Sequence, residues 1–339
     1  QATMGAHPGG LFVRGLPVEP YGEDLEFWAE TRDASRSDDF DSWINHWVRE
    51  PATQAEYLER LGGPRIARLR HRAEPDSWRE DEAANPPDFD RPIGAWERAA
   101  AYGARYVVDR ISLRQADAVL AGAGVANLAA WLAVDLARTA GADVVLTAEL
   151  GLWGYEPTPA DPFVFNHRSF PSATMMGDSE QVLGALVGGP GTDVIGCLGA
   201  AQIDMHGNIN STAIPGKAFL VGSGGGNDVA SAAGENVVVA TLTPRRTVAD
   251  VPYITSPGER IHALVTDLGT FEKNGEGRFV LRAIAPGNGT VEERVEAIRD
   301  LVGWELAVDN EMTELAPVDH ADIEALRRWD PLGRFLRPD

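Results

Sequence analysis

The chain of 339 residues sets 51 Asp and Glu against 30 Lys and Arg, a formal charge of −21, and 44% of it is apolar. That composition excludes a disordered chain and leaves room for two domains, or for one large core with an appendage. So negative a molecule repels phosphate backbones and anionic lipid, and would need a local basic patch to bind either.

The first 62 residues hold little strand signal. After a start rich in Gly and Pro, Phe40, Trp43, Ile44, Trp47 and Val48 recur at helical spacing and line one face of an amphipathic helix. A second short helix carries Tyr57, Leu58 and Leu61 and stops at Gly62-Gly63. Residues 63–95 read as a linker, charged and interrupted by proline. Its Arg65, Arg68, Arg70, His71 and Arg72 form the one basic cluster of note, which reads as a solvated face.

From Trp96 the pattern changes. A helix through Tyr106 and Val107 leads to a strand at Ala118–Ala121, a turn with Gly122 and Gly124, a helix apolar on most faces, and a strand at Val144–Ala148. This alternation predicts a βαβ unit whose helix is buried on both sides. Further strands are expected at Val194–Leu198, Ala218–Val221, Val237–Leu242, Ile261–Thr266 and Phe279–Ile284. Thr290-Val291-Glu292-Glu293 is a capping box opening a late helix with Val291, Val295, Ile298 and Val302 on one face. The expected architecture is α/β: an open mixed sheet flanked by helices, with a helical N-terminal appendage.

The single cysteine, Cys197, lies in an apolar run and excludes an intramolecular disulfide. The longest apolar stretch, Val119–Leu136, is broken by Gly122, Gly124, Asn127 and Asp135, and no signal peptide opens the chain. A cytoplasmic protein is expected. The seven histidines show no metal-ligand spacing, so no metal site is expected, and Gly-x-Ser-x-Gly is absent. Gly122-Ala123-Gly124 lacks the third glycine of a dinucleotide fingerprint, and the glycines after Val221 lack the Lys and Ser/Thr of a Walker loop.

Two features carry chemistry. Glu149 stands at the carboxyl end of a core strand, before Gly151 and Gly154, where open α/β sheets place ligands. It reads either as a covalent nucleophile with room for an acyl group to approach, or as a cap or ion-pair partner. Gly222-Ser223-Gly224-Gly225-Gly226-Asn227-Asp228 leaves a strand and reads either as amides converging on an oxyanion or as a flexible turn.

In combination these segments resemble class I coenzyme A transferases. Residues 96–339 resemble the β subunit, of the glutaconate CoA-transferase type. The resemblance runs through Leu146–Gly154, Gly199–Thr212, Gly222–Ser231, Val265–Phe271, Ala285–Gly287 and Val302–Trp304, in the family's order. Ala148 and Leu150 depart from the Ser and Asn that flank the family's glutamate. Residues 1–62 resemble the carboxyl-terminal tail of the α subunit, through Gly5–Leu11, Tyr21–Asp24 and Tyr57–Gly62.

The resemblance implies the CoA-transferase fold and a ping-pong transfer of CoA from an acyl-CoA to a free carboxylic acid through a glutamyl-CoA thioester on Glu149. Gly222, Ser223, Gly224, Gly225, Gly226 and Asn227 would then serve the oxyanion and the coenzyme. No tightly bound cofactor is implied, with coenzyme A entering as acyl-CoA substrate. An α-subunit-like chain is implied as partner in a hetero-oligomer, and the chain reads as the carboxyl-terminal product of a fused α–β polypeptide cut ahead of Gln1. Gly151, Trp153 and Tyr155, with Phe163 nearby, are expected in the substrate pocket, their bulk favouring an apolar or aromatic acyl chain. Lys217, Arg245 or the partner would supply cations for the coenzyme's phosphates. The alternatives are a ring-opening hydrolase of CoA thioesters on the same fold, and a non-catalytic subunit whose Glu149 braces an interface.

Overall fold

The computed structural model describes residues 46, 49–72, 74, 76–164 and 167–338, in two compact units, 1–77 and 78–339. The helix expected over Phe40–Val48 and the glycine-rich start lie outside the described residues. In the first unit the second expected helix is α1 (Gln54–Leu61), where the Thr53 side chain accepts the Glu56 amide. Gly62, at φ +79°, ends it and donates its amide to the Leu58 carbonyl.

The stretch expected as a linker is largely helical. α2 (Gly63–Arg72) follows α1 directly, and α3 (Trp78–Ala84) opens the second unit. Arg, Ala and Glu are good helix formers whatever their charge; Pro64 stands in a first turn, and Glu80 and Asp81 occupy the positive end of α3. The run after Ala84 is irregular. There Arg327 donates to the Asp88, Phe89 and Pro92 carbonyls.

α4 (Ala95–Arg114), β1 (Ala118–Ala121), α5 (Val125–Thr139) and β2 (Val145–Ala148) form the expected βαβ unit, with β1 and β2 parallel. Unforeseen in the sequence, β3 (Leu152–Trp153), β4 (Met175–Met176) and a π-helix over Glu180–Val187 come next, before β5 (Val194–Leu198). Two hairpins follow, β6 (Gln202–Ile203) with β7 (Ile209–Asn210), and β8 (Ala213–Ile214) with β9 (Ala218–Phe219). Then come α6 (Gly226–Ala232), β10 (Glu235–Val239), β11 (Ile261–Val265), β12 (Gly269–Lys273) and β13 (Phe279–Ile284). α7 (Val291–Arg299), β14 (Ala307–Glu314) and α8 (His320–Trp329) complete the unit.

β10 starts before the expected Val237 because Arg110 neutralises Glu235 at 2.6 Å. It stops at Val239, and the Leu242 amide turns instead to the Asp267 carboxylate at 2.8 Å. Ten strands form one sheet in the order β14-β13-β12-β11-β10-β5-β1-β2-β3-β4. The five strands from β11 to β2 are parallel, with antiparallel strands on both sides. α4, α5 and α8 cover one face, and α5 is buried on nearly every side, as its all-round apolar character predicts. The π-helix, α6 and Ile298 of α7 pack on the other face.

The chain passes from β1 to β2 on one side, then crosses back to place β5 on the other. The order therefore reverses at β1, and the carboxyl ends of the parallel strands, which carry Gly122, Glu149 and Gly199, share one edge. That edge, at a reversal of strand order, is where such sheets bind ligands. No helix among the described residues is long and apolar enough to cross a membrane.

Candidate active site

Glu149 sits at the tip of the hairpin between β2 and β3, where Ala148 pairs with Leu152. The Gly151 amide donates to the Ala148 carbonyl at 3.0 Å and closes the turn. Gly151 has φ +112°, and a Cβ there would lie 1.9 Å from the Gly177 oxygen. Two constraints thus demand glycine: a left-handed backbone and a neighbouring strand with no space for a side chain.

The glycine loop reaches this carboxylate from the other side. Its approach is fixed where the Leu220 amide donates to the Thr212 carbonyl at 2.7 Å. Gly224 then takes φ +56°, and a Cβ on it would stand 3.2 Å from Glu149 Oε1. A Cβ on Gly225 would fall 2.2 Å from Glu149 Oε2 and 3.0 Å from its Cδ. The carboxylate occupies the volume these two side chains would fill. The carboxylate and loop that the sequence read separately therefore touch.

Burial lifts the Glu149 pKa above the ordinary carboxylate range, a hydrogen bond from the Gly225 backbone offsets part of that rise, and the Asp228 carboxylate adds to it. The residue is mostly buried but not fully enclosed, which leaves the carboxylate a path to a reactant. Among the described residues, the amides of Gly222, Ser223 and Gly224 donate to no backbone carbonyl, and all three residues are exposed. Backbone donors of this kind can receive an oxyanion.

The remaining expected residues divide. Gly226 approaches Ser256, and Asn227 is exposed on the first turn of α6. Trp153 is half-buried on β3, between Thr147 and Met175. Tyr155 requires a correction: it is fully buried, and its hydroxyl accepts the Trp131 indole N–H at 2.9 Å. It belongs to the core because the hydroxyl finds its partner on α5. Phe163 stacks edge-on against Phe335 at 5.0 Å. Lys217 and Arg245 are exposed. Sequence reasoning passed over Asp228, which the glycine motif already contained, and Gly177 and Gln181, which carry no local signal.

Comparison with known proteins decides the family. The family model described as Coenzyme A transferase matches residues 109–292, more than half the chain. The chain belongs to the coenzyme A transferase family. Within this transferase family it is 31% identical over 216 residues to the B subunit of 3-oxoadipate CoA-transferase from Pseudomonas knackmussii, covering 58% of this chain and 81% of that protein. It is 30% identical over 166 residues to the B subunit of glutaconate CoA-transferase from Acidaminococcus fermentans, covering 42% of this chain and 60% of the relative.

Solved structures agree on the transferase fold. Glutaconate coenzyme A-transferase from Acidaminococcus fermentans superposes with a TM-score of 0.57 at 22% identity, covering 71% of this chain and 98% of that one. The decarboxylase AibA/AibB superposes with a TM-score of 0.55 at 22% identity, covering 71% and 97%. The fold thus also occurs in a protein named for another reaction, and the choice of chemistry falls to the site.

Proposed function

We propose that this chain is the catalytic β-type subunit of a CoA transferase in which Glu149 is the nucleophile. A Glu149 carboxylate oxygen attacks the thioester carbonyl of an acyl-CoA; a C–O bond forms, the C–S bond breaks, and CoA leaves as thiolate. The thiolate then attacks the Glu149 carbonyl of the resulting anhydride, giving glutamyl-CoA thioester and releasing the first acid as its carboxylate. An incoming carboxylate reverses both steps and departs as the new acyl-CoA, leaving Glu149 free. Thioester is exchanged for thioester, no net proton is consumed and no nucleotide is needed.

The observation that carries this reading is the contact of the Glu149 carboxylate with Gly224 and Gly225. Partial burial keeps the carboxylate poorly hydrated and basic, and the amides of the same loop would serve a developing oxyanion. A ring-opening hydrolase needs no such covalent carboxylate, and burial, not an ion pair, is the largest influence on the Glu149 pKa. The relatives are named as B subunits, which supports an α-type partner chain that completes the site.

The test is isotope exchange between acyl-CoA and its free acid, catalysed by the protein with its partner. Glu149→Ala is expected to lower exchange by about a thousandfold or more. Exchange at the wild-type rate in that variant would refute the assignment.

A further inference from the structure

The hairpin bearing Glu149 and the loop bearing Gly225 come from distant parts of the chain, and one segment touches the supports of both. The Gly177 amide donates to the Gly151 carbonyl at 2.8 Å, and the Gly177 oxygen packs where a Gly151 Cβ would be. The next residue, Asp178, is tied to the first turn of the π-helix by a reciprocal pair: Gln181 Oε1 accepts the Asp178 amide at 3.1 Å, and Asp178 Oδ1 accepts the Gln181 amide at 2.8 Å. Along its length the same helix packs on α6, with Val182, Leu183 and Val187 in one apolar cluster with Val229 and Ala230. A Cβ on Gly188 would stand 3.2 Å from the Ala232 Cβ. The contacts form a closed circuit: Glu149, its hairpin, Gly177, Gln181, the π-helix, α6, Gly225 and back to Glu149.

From this circuit we infer that Gln181 is a positioning residue for the transfer, and that the π-helix is the strut setting the spacing between nucleophile and glycine loop. Gln181 is exposed and adds nothing to the core, so packing does not explain its place. Its carboxamide oxygen lies only 2.4 Å from where a Gly177 Cβ would be, which ties the start of the helix to the strand beside Gly151. π-helices are rare and concentrate at functional sites, because the wider turn is retained where it places a group that an α-helix would misplace. The inference rests on Glu149 as nucleophile.

The test compares Gln181→Ala, Gln181→Glu and Gly177→Ala with wild type, each purified with its partner, by kcat and KM and by the rate at which acyl-CoA charges Glu149, read by mass after borohydride trapping. Gln181→Ala removes the acceptor and Gly177→Ala pushes it aside. Both are expected to lower kcat and the charging rate about tenfold to a hundredfold, with KM within about twofold, since a misplaced nucleophile impairs the reacting geometry and not binding. Gln181→Glu keeps an oxygen acceptor and is expected to recover most of the rate. Wild-type kcat in both alanine variants, or a loss in Gln181→Ala that Gln181→Glu does not restore, would overturn the positioning role while leaving Glu149 as nucleophile intact. Absence of any Glu149 adduct in the wild type would overturn both.

Discussion

Gly225 adopts φ −84° and ψ 5°, a conformation open to any residue, so its requirement for glycine is one of space. Gly225→Ala is therefore expected to fold normally by circular dichroism yet lose about 10²- to 10³-fold in kcat, because the methyl group displaces Glu149. Glu149 itself should cost stability. A carboxyl whose pKa is raised on folding binds its proton more tightly in the native state, so the penalty is absent below the ordinary carboxylate pKa. It grows as pH rises through the interval up to the raised value and is complete above it. Glu149→Gln should thus melt at a higher temperature than wild type at neutral pH, with the gain vanishing on acidification. A gain that persists at low pH would remove burial of the charge as its cause. The acid limb of the wild-type rate should lie above the ordinary carboxylate range for the same reason.

Among the elements, α4 and α8 are joined by a buried ion pair. Arg327 Nε lies 2.7 Å from Glu97 Oε1, the two side chains being 2% and 1% exposed. Burial alone would raise the Glu97 pKa, but bonds from Arg327, Arg91 and the Gly94 amide bring it below the usual range. Its stabilisation is therefore present above the ordinary carboxylate pKa and lost as pH falls through the depressed one. Arg327→Met leaves Glu97 short of a partner and frees the carbonyls of the irregular run after Ala84. Urea denaturation should show a loss of about 3–5 kcal/mol. The α7 capping box gives a milder case: Thr290 accepts the Glu293 amide at 3.2 Å and Glu293 accepts the Thr290 amide at 2.8 Å. Thr290→Ala should cost about 1 kcal/mol, seen as a fall in Tm of roughly 2–4 °C with activity unchanged. That box was legible because every group in it is within four residues. β14 was not, because as an exposed edge it carries Asp309, Glu311 and Glu314 where a strand pattern would show apolar residues. The π-helix was also hidden, since apolar spacing does not separate it from a short strand or an α-turn.

Over the whole molecule, the central parallel strands were legible because they are buried on both faces and read as unbroken apolar runs. Both halves of the candidate site stand out in the sequence as separate motifs, and the resemblance set side by side the carboxylate and loop that lie in contact. Tyr155 went astray because an aromatic near a nucleophile looks the same in sequence whether it lines a pocket or fills a core; the hydrogen bond to Trp131, on another element, decides it. Net charge added a constraint on partners but none on the fold. The proposed transfer runs through covalent intermediates on one side chain, Glu149. The direct measurement is peptide mass spectrometry of the protein with its partner, after incubation with acyl-CoA and reduction by borohydride. The expected result is a single modified peptide in which the Glu149 carboxyl has become a primary alcohol, as reduction of a glutamyl thioester requires. Full transfer activity with Glu149 unmodified, or with the label on another residue, would contradict it.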